Sequence, residues 1–299
     1  MKEIDSIQTL LDRGNKHLAE QRYIAALRVF QTAQKVAPND AEVLFKLGLT
    51  YDYLKMFEQA LSYYRRALKI APDMEGAWEY SGVVYHELYQ YEKALECYNQ
   101  AIKLNRSYPY TYYNKAITLV ALGKMNEALD CYDKAISLAP KYTFAYINKG
   151  ELLNRLGRYS EAIETFKIAL KHTKYEERVY FGLGKALLSL QSNNQALRQY
   201  QKGLKIDHKN AQAWKNAGEA AFRAKKFDIA TSAYKKSLEF YAWDASIYYC
   251  VADSLRHQNK FNEAVSFIKK GLRRCPSHES LKILLQAIAI QKQGEMQHK

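Results

Sequence analysis

Hydrophobic positions along this chain follow a helical period that is interrupted at regular intervals. Within residues 41–74, Leu44 and Tyr51 lie on one face of a predicted helix, and Tyr64 and Leu68 lie on one face of a second. A proline near the end of this stretch cannot continue the second helix, so the segment ends there. The pattern predicts two amphipathic helices joined by a short turn.

The same 34-residue pattern repeats along most of the chain, and small and aromatic residues recur at fixed positions of the repeat. The eight gapless units are 7–40, 41–74, 75–108, 109–142, 143–176, 177–210, 211–244 and 245–278. Position 20 is alanine in every unit, and position 8 is glycine or alanine. Position 24 is aromatic in seven units, from Phe30 to Tyr234, with Ile268 in the last. Small residues at positions 8 and 20 indicate that the two antiparallel helices approach each other closely, as at Gly48 and Ala60.

This periodicity predicts an all-α solenoid of eight helix-turn-helix units, because a repeat array builds its core between neighbouring units. Residues 1–6 form a lead, 7–278 the array, 279–293 a capping helix and 294–299 a tail. In the capping helix, Leu281, Leu284 and Ile288 should cover the last unit. A second apolar stripe there, Ile283 and Ile290 among it, predicts either a broad buried face or a homodimer contact.

The motifs within the units resemble those of the tetratricopeptide-repeat (TPR) family. Leu44-x2-Leu47-Gly48-x2-Tyr51 follows the family's first-helix pattern, and the alanine, aromatic and proline positions follow in the second helix. The resemblance covers residues 7–278. It implies a right-handed superhelix, with a concave groove that binds a partner segment without catalysis.

The groove residues are predicted from helix geometry. Positions 4, 8 and 11 of each first helix face its partner helix, so positions 2, 5, 6, 9, 12 and 13 point elsewhere, and in the TPR family that face lines the groove. Aromatic residues mixed with Asn, Lys and Arg are typical of a recognition surface. The predicted partner-binding residues are Phe45, Tyr80, Tyr113, Asn114, Asn148, Arg155, Lys185, Lys215, Asn216, Arg223, Tyr249 and Arg256.

Two known arrangements of the family can be compared with these positions. The carboxylate clamp of chaperone-binding members is incomplete here: Asn15 matches it, but Leu11 and Lys46 do not. An asparagine ladder at position 6 is present in part, at Asn114, Asn148 and Asn216, and its amides could hold the backbone of an extended peptide. The alternative is that these asparagines bond only to water or to their own solenoid.

The charge distribution suggests what kind of partner binds. The first 142 residues carry 18 Lys/Arg and 17 Asp/Glu, whereas residues 143–299 carry 27 and 14. This excess predicts attraction to an acidic partner. The leading function is a protein-interaction scaffold or adaptor that binds an acidic or extended segment. The alternative is a helical-repeat protein that binds nucleic acid, specifically RNA, through its basic C-terminal half.

Other features of the sequence narrow the class of protein. Scattered histidines, the absence of a P-loop or HExxH motif, and four cysteines without CxxC spacing predict no enzyme, no metal and no cofactor. The N-terminal residues resemble no secretory signal, and no apolar run reaches the length of a membrane span. We expect a cytoplasmic protein without membrane insertion.

Overall fold

The computed structural model describes residues 6–173, 176–241 and 243–297, and this part of the chain is all α-helical. Its 17 helices alternate between a first and a second helix of each unit, and no strand occurs among the described residues. The first helices are α1 (Ile7–Ala19), α3 (Ala41–Tyr53), α5 (Glu75–Glu87), α7 (Pro109–Ala121), α9 (Thr143–Arg155), α11 (Glu177–Ser189), α13 (Ala211–Arg223) and α15 (Ala245–Arg256). The second helices are α2 (Tyr23–Val36), α4 (Phe57–Ile70), α6 (Tyr91–Leu104), α8 (Met125–Leu138), α10 (Tyr159–His172), α12 (Asn193–Ile206), α14 (Phe227–Phe240) and α16 (Phe261–Arg274). The predicted all-α class is confirmed; the handedness of the superhelix stays a prediction.

Helix boundaries follow local capping chemistry. Every first helix begins at the first residue of its predicted unit. Asp40 accepts a hydrogen bond from the Val43 amide at 2.9 Å, and Asn210 accepts one from the Ala213 amide at 2.9 Å. These side chains satisfy backbone donors that have no partner inside the helix. The last helix, α17, spans Glu279–Gln297 and so continues beyond residue 293, since no proline interrupts that segment.

The turn between the two helices of a unit has the same backbone conformation throughout. The residue at position 15 has a positive φ in all eight units, between 57° and 76°. Two of these residues are glycines, Gly123 and Gly157, and the other six carry side chains. A residue in the left-handed conformation after the first helix lets the amide of the following residue donate to a carbonyl of the last helical turn. The Met56 amide, for example, donates to the Tyr51 carbonyl at 2.9 Å.

In the six units that have glycine at position 8, the aromatic ring at position 24 packs against that glycine. A Cβ atom added to Gly48 would lie 2.6 Å from two carbons of the Tyr64 ring, and one added to Gly82 would lie 2.6 Å from Tyr98. Tyr64 and Ala60 are both fully buried. The predicted close approach of the two helices is therefore present, and glycine is the residue that permits it.

The chain divides into two compact bodies, Met1–Ala145 and Tyr146–Lys299. In the first, a core cluster forms around Leu10, Phe30 and Leu47. In the second, α17 buries Leu281, Leu284 and Ile288 and contacts α15 and α16. A helix that covers the last unit in this way shields the apolar surface of that unit.

The second apolar stripe of α17 is not part of a broad buried face. Ile283 is 62% exposed and Ile290 is 70% exposed. Of the two alternatives in the sequence, burial within the chain is therefore excluded for these two isoleucines, and the homodimer contact stays a prediction.

Across residues 6–173, 176–241 and 243–297, no helix combines the length and the apolarity needed to cross a membrane.

Candidate partner-binding surface

In the N-terminal body, the predicted aromatic residues pack against one another along successive first helices. The ring centroid of Phe45 lies 5.8 Å from that of Tyr80 and 5.9 Å from that of Tyr64. Both Phe45 and Tyr80 are half-buried, and burial raises the pKa of Tyr80 to about 12. These rings join α3 to α5, so only part of each remains available to a partner.

A tyrosine cluster forms where α7 and α9 begin. Tyr142, in the turn before α9, packs against Tyr110 at 4.9 Å and Tyr113 at 5.0 Å between ring centroids, and Phe144 lies 6.4 Å away. Tyr110 and Phe144 are about half exposed, at 46% and 51%. Tyr113 was predicted as a site residue, whereas Tyr142 was not, because it lies in a turn outside the helix positions on which that prediction rested.

Two buried carboxyl groups lie at positions 5 and 12 of first helices, among the positions predicted to line the groove. Glu79 in α5 is only 5% exposed, and its Oε1 accepts a 3.4 Å hydrogen bond from Asn114 Nδ2. Burial, reinforced by the nearby Glu75, raises the pKa of Glu79 to about 7. Burial likewise raises the pKa of Asp52 to about 6. Asn114 of the predicted ladder thus binds a neighbouring unit, and this face carries acidic as well as aromatic residues.

In the C-terminal body, one arginine organises the polar residues between α9 and α11. Arg178 donates from Nε and Nη2 to the Glu151 carboxylate at 3.0 and 2.8 Å, and Nη2 also donates to Asn148 Oδ1 at 2.8 Å. A bidentate contact of this kind fixes both partners. Asn148 therefore uses its Oδ1 to hold Arg178 within the solenoid, and its role toward a partner stays a prediction.

Asn154 makes a similar connection but leaves one atom unused. Its Nδ2 donates to the Gly182 carbonyl at 2.8 Å, while its Oδ1 is buried without a hydrogen-bond partner among the described residues. A buried acceptor without a partner is costly.

A cavity of about 370 Å³ lies beside these residues, and we call it the Arg155 cavity. All the residues that line it come from positions 2, 5, 6, 9, 12 or 13 of a first helix, and we call the surface formed by these positions the first-helix face. They are Glu151, Asn154, Arg155, Arg178, Phe181, Gly182, Lys185 and Asn216. Three predicted site residues, Arg155, Lys185 and Asn216, thus lie around one cavity.

The charges of the Arg155 cavity are unbalanced. Arg178 is paired with Glu151, but Arg155 and Lys185 are exposed and have no hydrogen bond or ion pair within the described part of the chain. The cavity therefore presents two unpaired cations beside the half-buried ring of Phe181. An anionic group would be attracted to it.

The other predicted cations are already paired within the chain. Lys215 Nζ donates to Asp244 Oδ2 at 2.8 Å and to Ser246 Oγ at 2.9 Å. Arg223 pairs with Glu219, and Arg256 pairs with Asp253. Sequence position alone did not separate these residues from Arg155 and Lys185, because the pairing depends on side chains in the next turn or the next unit.

Tyr249 and Arg256 lie at a second cavity of the first-helix face, next to the capping helix. This cavity has a volume of about 410 Å³, and its far wall includes Ile283, Leu284 and Ala287 of α17. α17 thus continues the series of first helices, since these residues occupy positions 5, 6 and 9 when the template is extended into it.

The architecture is that of a helical-repeat protein, and comparisons with known sequences identify the family. Tetratricopeptide-repeat sequences match residues 41–74, 109–142, 131–164 and 181–245, and a TPR repeat matches residues 82–123. Together these segments span more than half of the chain. The chain belongs to the tetratricopeptide-repeat family, and its fold is that of a protein-interaction scaffold.

Solved structures agree at the level of the fold. The C-terminal part of a TPR repeat-containing protein from Cytophaga hutchinsonii is 17% identical and superposes with a TM-score of 0.67 over 82% of this chain and 98% of its own. PilF of Pseudomonas aeruginosa is 19% identical, with a TM-score of 0.59 over 71% and 96% of the two chains. YrrB, described as a TPR protein with an unusual peptide-binding site, is 23% identical, with a TM-score of 0.58 over 62% and 96%. Among curated protein sequences, none matches this chain.

Proposed function

We propose that this chain is a non-enzymatic adaptor whose C-terminal body binds an acidic, extended segment of a partner protein on the first-helix face. One observation carries the proposal. Arg155 and Lys185 have no ion-pair partner in the described part of the chain, and both line a cavity formed only by residues of that face. Carboxylates of the partner would pair with these two side chains.

Other features of the cavity suit an extended backbone. Phe181 offers apolar surface in the same cavity. Asn216 accepts a hydrogen bond from Gln212 at 2.9 Å, and its amide group carries two N–H donors. The excess of Lys/Arg in residues 143–299 would speed the encounter with an acidic chain.

The test is charge reversal at the cavity with a matched control elsewhere. The probe is a fluorescein-labelled peptide of about 12 residues made of Glu, Gly and Ser, and binding is followed by fluorescence polarisation. The double variant Arg155→Glu/Lys185→Glu should bind at least about tenfold more weakly than the wild type, the loss expected when charge-assisted contacts become repulsive. Lys171→Glu/Lys209→Glu changes the net charge equally at exposed positions away from this face, and it should bind nearly as well as the wild type.

Equal weakening by both double variants would contradict the proposal, since it would show attraction to the overall charge alone. A preference for single-stranded poly(U) RNA over the peptide, with affinity falling log-linearly as salt rises, would favour the nucleic-acid alternative instead. The cytoplasmic location stays a prediction.

A further inference from the structure

An apolar cleft lies between two second helices of the C-terminal body, on a different surface from the Arg155 cavity. It has a volume of about 780 Å³ and lies between α12 and α14, with Trp214 and Ala217 of α13 at its base. We call it the Trp214 cleft. None of its lining residues belongs to the positions that form the Arg155 cavity, so the two sites are separate.

The cleft exists because two template positions carry small side chains in this unit. Position 7 is Ala217 and position 23 is Ala233, and both line the cleft. In the unit before, position 7 is Leu183, which is buried. In the unit after, position 23 is Phe267, whose ring lies 5.1 Å from Lys235 Nζ. Neighbouring units thus place larger side chains at the positions that unit 7 leaves small.

A smaller version of the cleft recurs in unit 3, which shows that the arrangement has a defined sequence basis. That cleft measures about 420 Å³ and is lined by Trp78, Ser81 and Cys97, at positions 4, 7 and 23. Tyr85 also lines it, whereas unit 7 has Ala221 at the corresponding position. The missing tyrosine accounts for the greater volume around Trp214.

The indole ring of Trp214 is fixed in place. Its Nε1 donates a 2.9 Å hydrogen bond to the His208 carbonyl, so its polar edge is satisfied and the remainder of the ring is available as apolar surface. Tryptophan held in this way is the kind of group found at the energetic centre of interfaces.

The rim of the cleft is basic on one side. Arg198, Lys202 and Lys205 line it from α12 at spacings of four and three residues, which places them along one side of that helix. Arg198 and Lys205 are exposed and have no hydrogen bond or ion pair among the described residues. Asp228, on the opposite wall, lies 3.5 Å from Lys260 and is the sole acidic residue of the lining.

We propose that the Trp214 cleft is a second docking site, which binds a partner segment carrying one large apolar side chain flanked by acidic residues. The apolar side chain would enter between Trp214, Ala217 and Ala233, and the acidic residues would pair with Arg198 and Lys205. This proposal does not depend on the Arg155 cavity. A second copy of this chain is a poorer occupant, because residues 143–299 carry 27 Lys/Arg against 14 Asp/Glu.

The experiment is a selection from a displayed library of random 12-residue peptides on the full chain, with counter-selection on Ala233→Phe, which copies the residue of unit 8. Recovered peptides should carry one Leu, Phe or Trp between acidic residues. In ¹⁵N–¹H spectra they should shift the indole resonance of Trp214 more than those of the other two tryptophans. Fluorescence polarisation should give at least tenfold weaker binding to Ala233→Phe.

Two further variants separate a filled cleft from a damaged fold. Arg198→Glu/Lys205→Glu leaves the cleft open and should also weaken binding at least tenfold. Cys97→Phe, the same kind of filling in the unit 3 cleft, should leave it unchanged. Recovery of peptides without acidic residues, or of none that shifts Trp214, would overturn the proposal. So would equal binding by the wild type and Arg198→Glu/Lys205→Glu, or self-association of the wild type that Ala233→Phe abolishes.

Discussion

Glu79 illustrates how a single residue on the first-helix face can limit stability. It is 5% exposed, and burial, with Glu75 nearby, raises its pKa from an ordinary value of 4.5 to about 7. The folded state therefore keeps the proton that the unfolded state releases near pH 4.5. By linkage, the contribution of Glu79 to stability is lost as the pH rises from about 4.5 to about 7. Asp52, with a pKa of about 6, acts in the same direction.

The corresponding prediction is that Glu79→Gln stabilises the protein at high pH. Glutamine keeps an oxygen that can accept from Asn114, and it carries no charge to bury. Urea unfolding at pH 8 should show a gain of roughly 1–2 kcal/mol, and the difference from wild type should fall toward zero near pH 4.5. Glu92→Gln, at an exposed position of α6, is the control and should have little effect. A gain that is the same at both pH values would contradict the assigned pKa.

Residues on this face show the limit of what the sequence could predict. Template positions identified which side chains point away from the partner helix, and all the residues lining the Arg155 cavity are among them. They could not show which polar groups were already used. Asn148 binds Arg178 and Lys215 binds Asp244, contacts made about 30 residues apart between units, whereas Arg155 and Lys185 have no such partner in the described part of the chain.

At the scale of the helix pair, the sequence predicted packing better than it predicted the turn. Positions 8, 20 and 24 were recognisable because close packing restricts the residue class there, as Gly48 against Tyr64 shows. Position 15 was not, because the left-handed backbone admits Gln21, Tyr89 and Gly123 alike. Nothing in side-chain class marks that conformation when non-glycine residues occupy it.

This predicts that the turns can be stabilised by glycine. Gln191 has φ of 58°, and relieving the contact between its Cβ and its own backbone should raise the free energy of unfolding by roughly 0.5–1 kcal/mol in Gln191→Gly. The matched control is Gly123→Ala, where φ is 76° and no atom lies within 4 Å of the added Cβ, so the backbone alone determines the effect. It should lose roughly 1 kcal/mol. Urea unfolding of both variants measures this, and destabilisation by Gln191→Gly would contradict it.

At the scale of the whole chain, the predicted homodimer depends on how much surface α17 can offer. Ile283 and Ile290 are well exposed, but two isoleucines and the alanine between them supply far less than the roughly 800 Å² per partner of a standard interface. Nearby polar groups would have to contribute, and Arg256 and Asp253, which line the adjoining cavity, are already paired with each other.

We therefore expect at most a weak dimer through α17. Sedimentation velocity should find a monomer at about 10 μM and association only at hundreds of micromolar, because so small an apolar contact barely offsets the entropy lost on association. Ile283→Lys/Ile290→Lys should remove that association. Lys282→Ala, at an exposed position of α17 outside the stripe, should leave it intact. A tight dimer that survives Ile283→Lys/Ile290→Lys would show that the copies meet elsewhere, and the apolar stripe would then be left to the partner that binds the first-helix face.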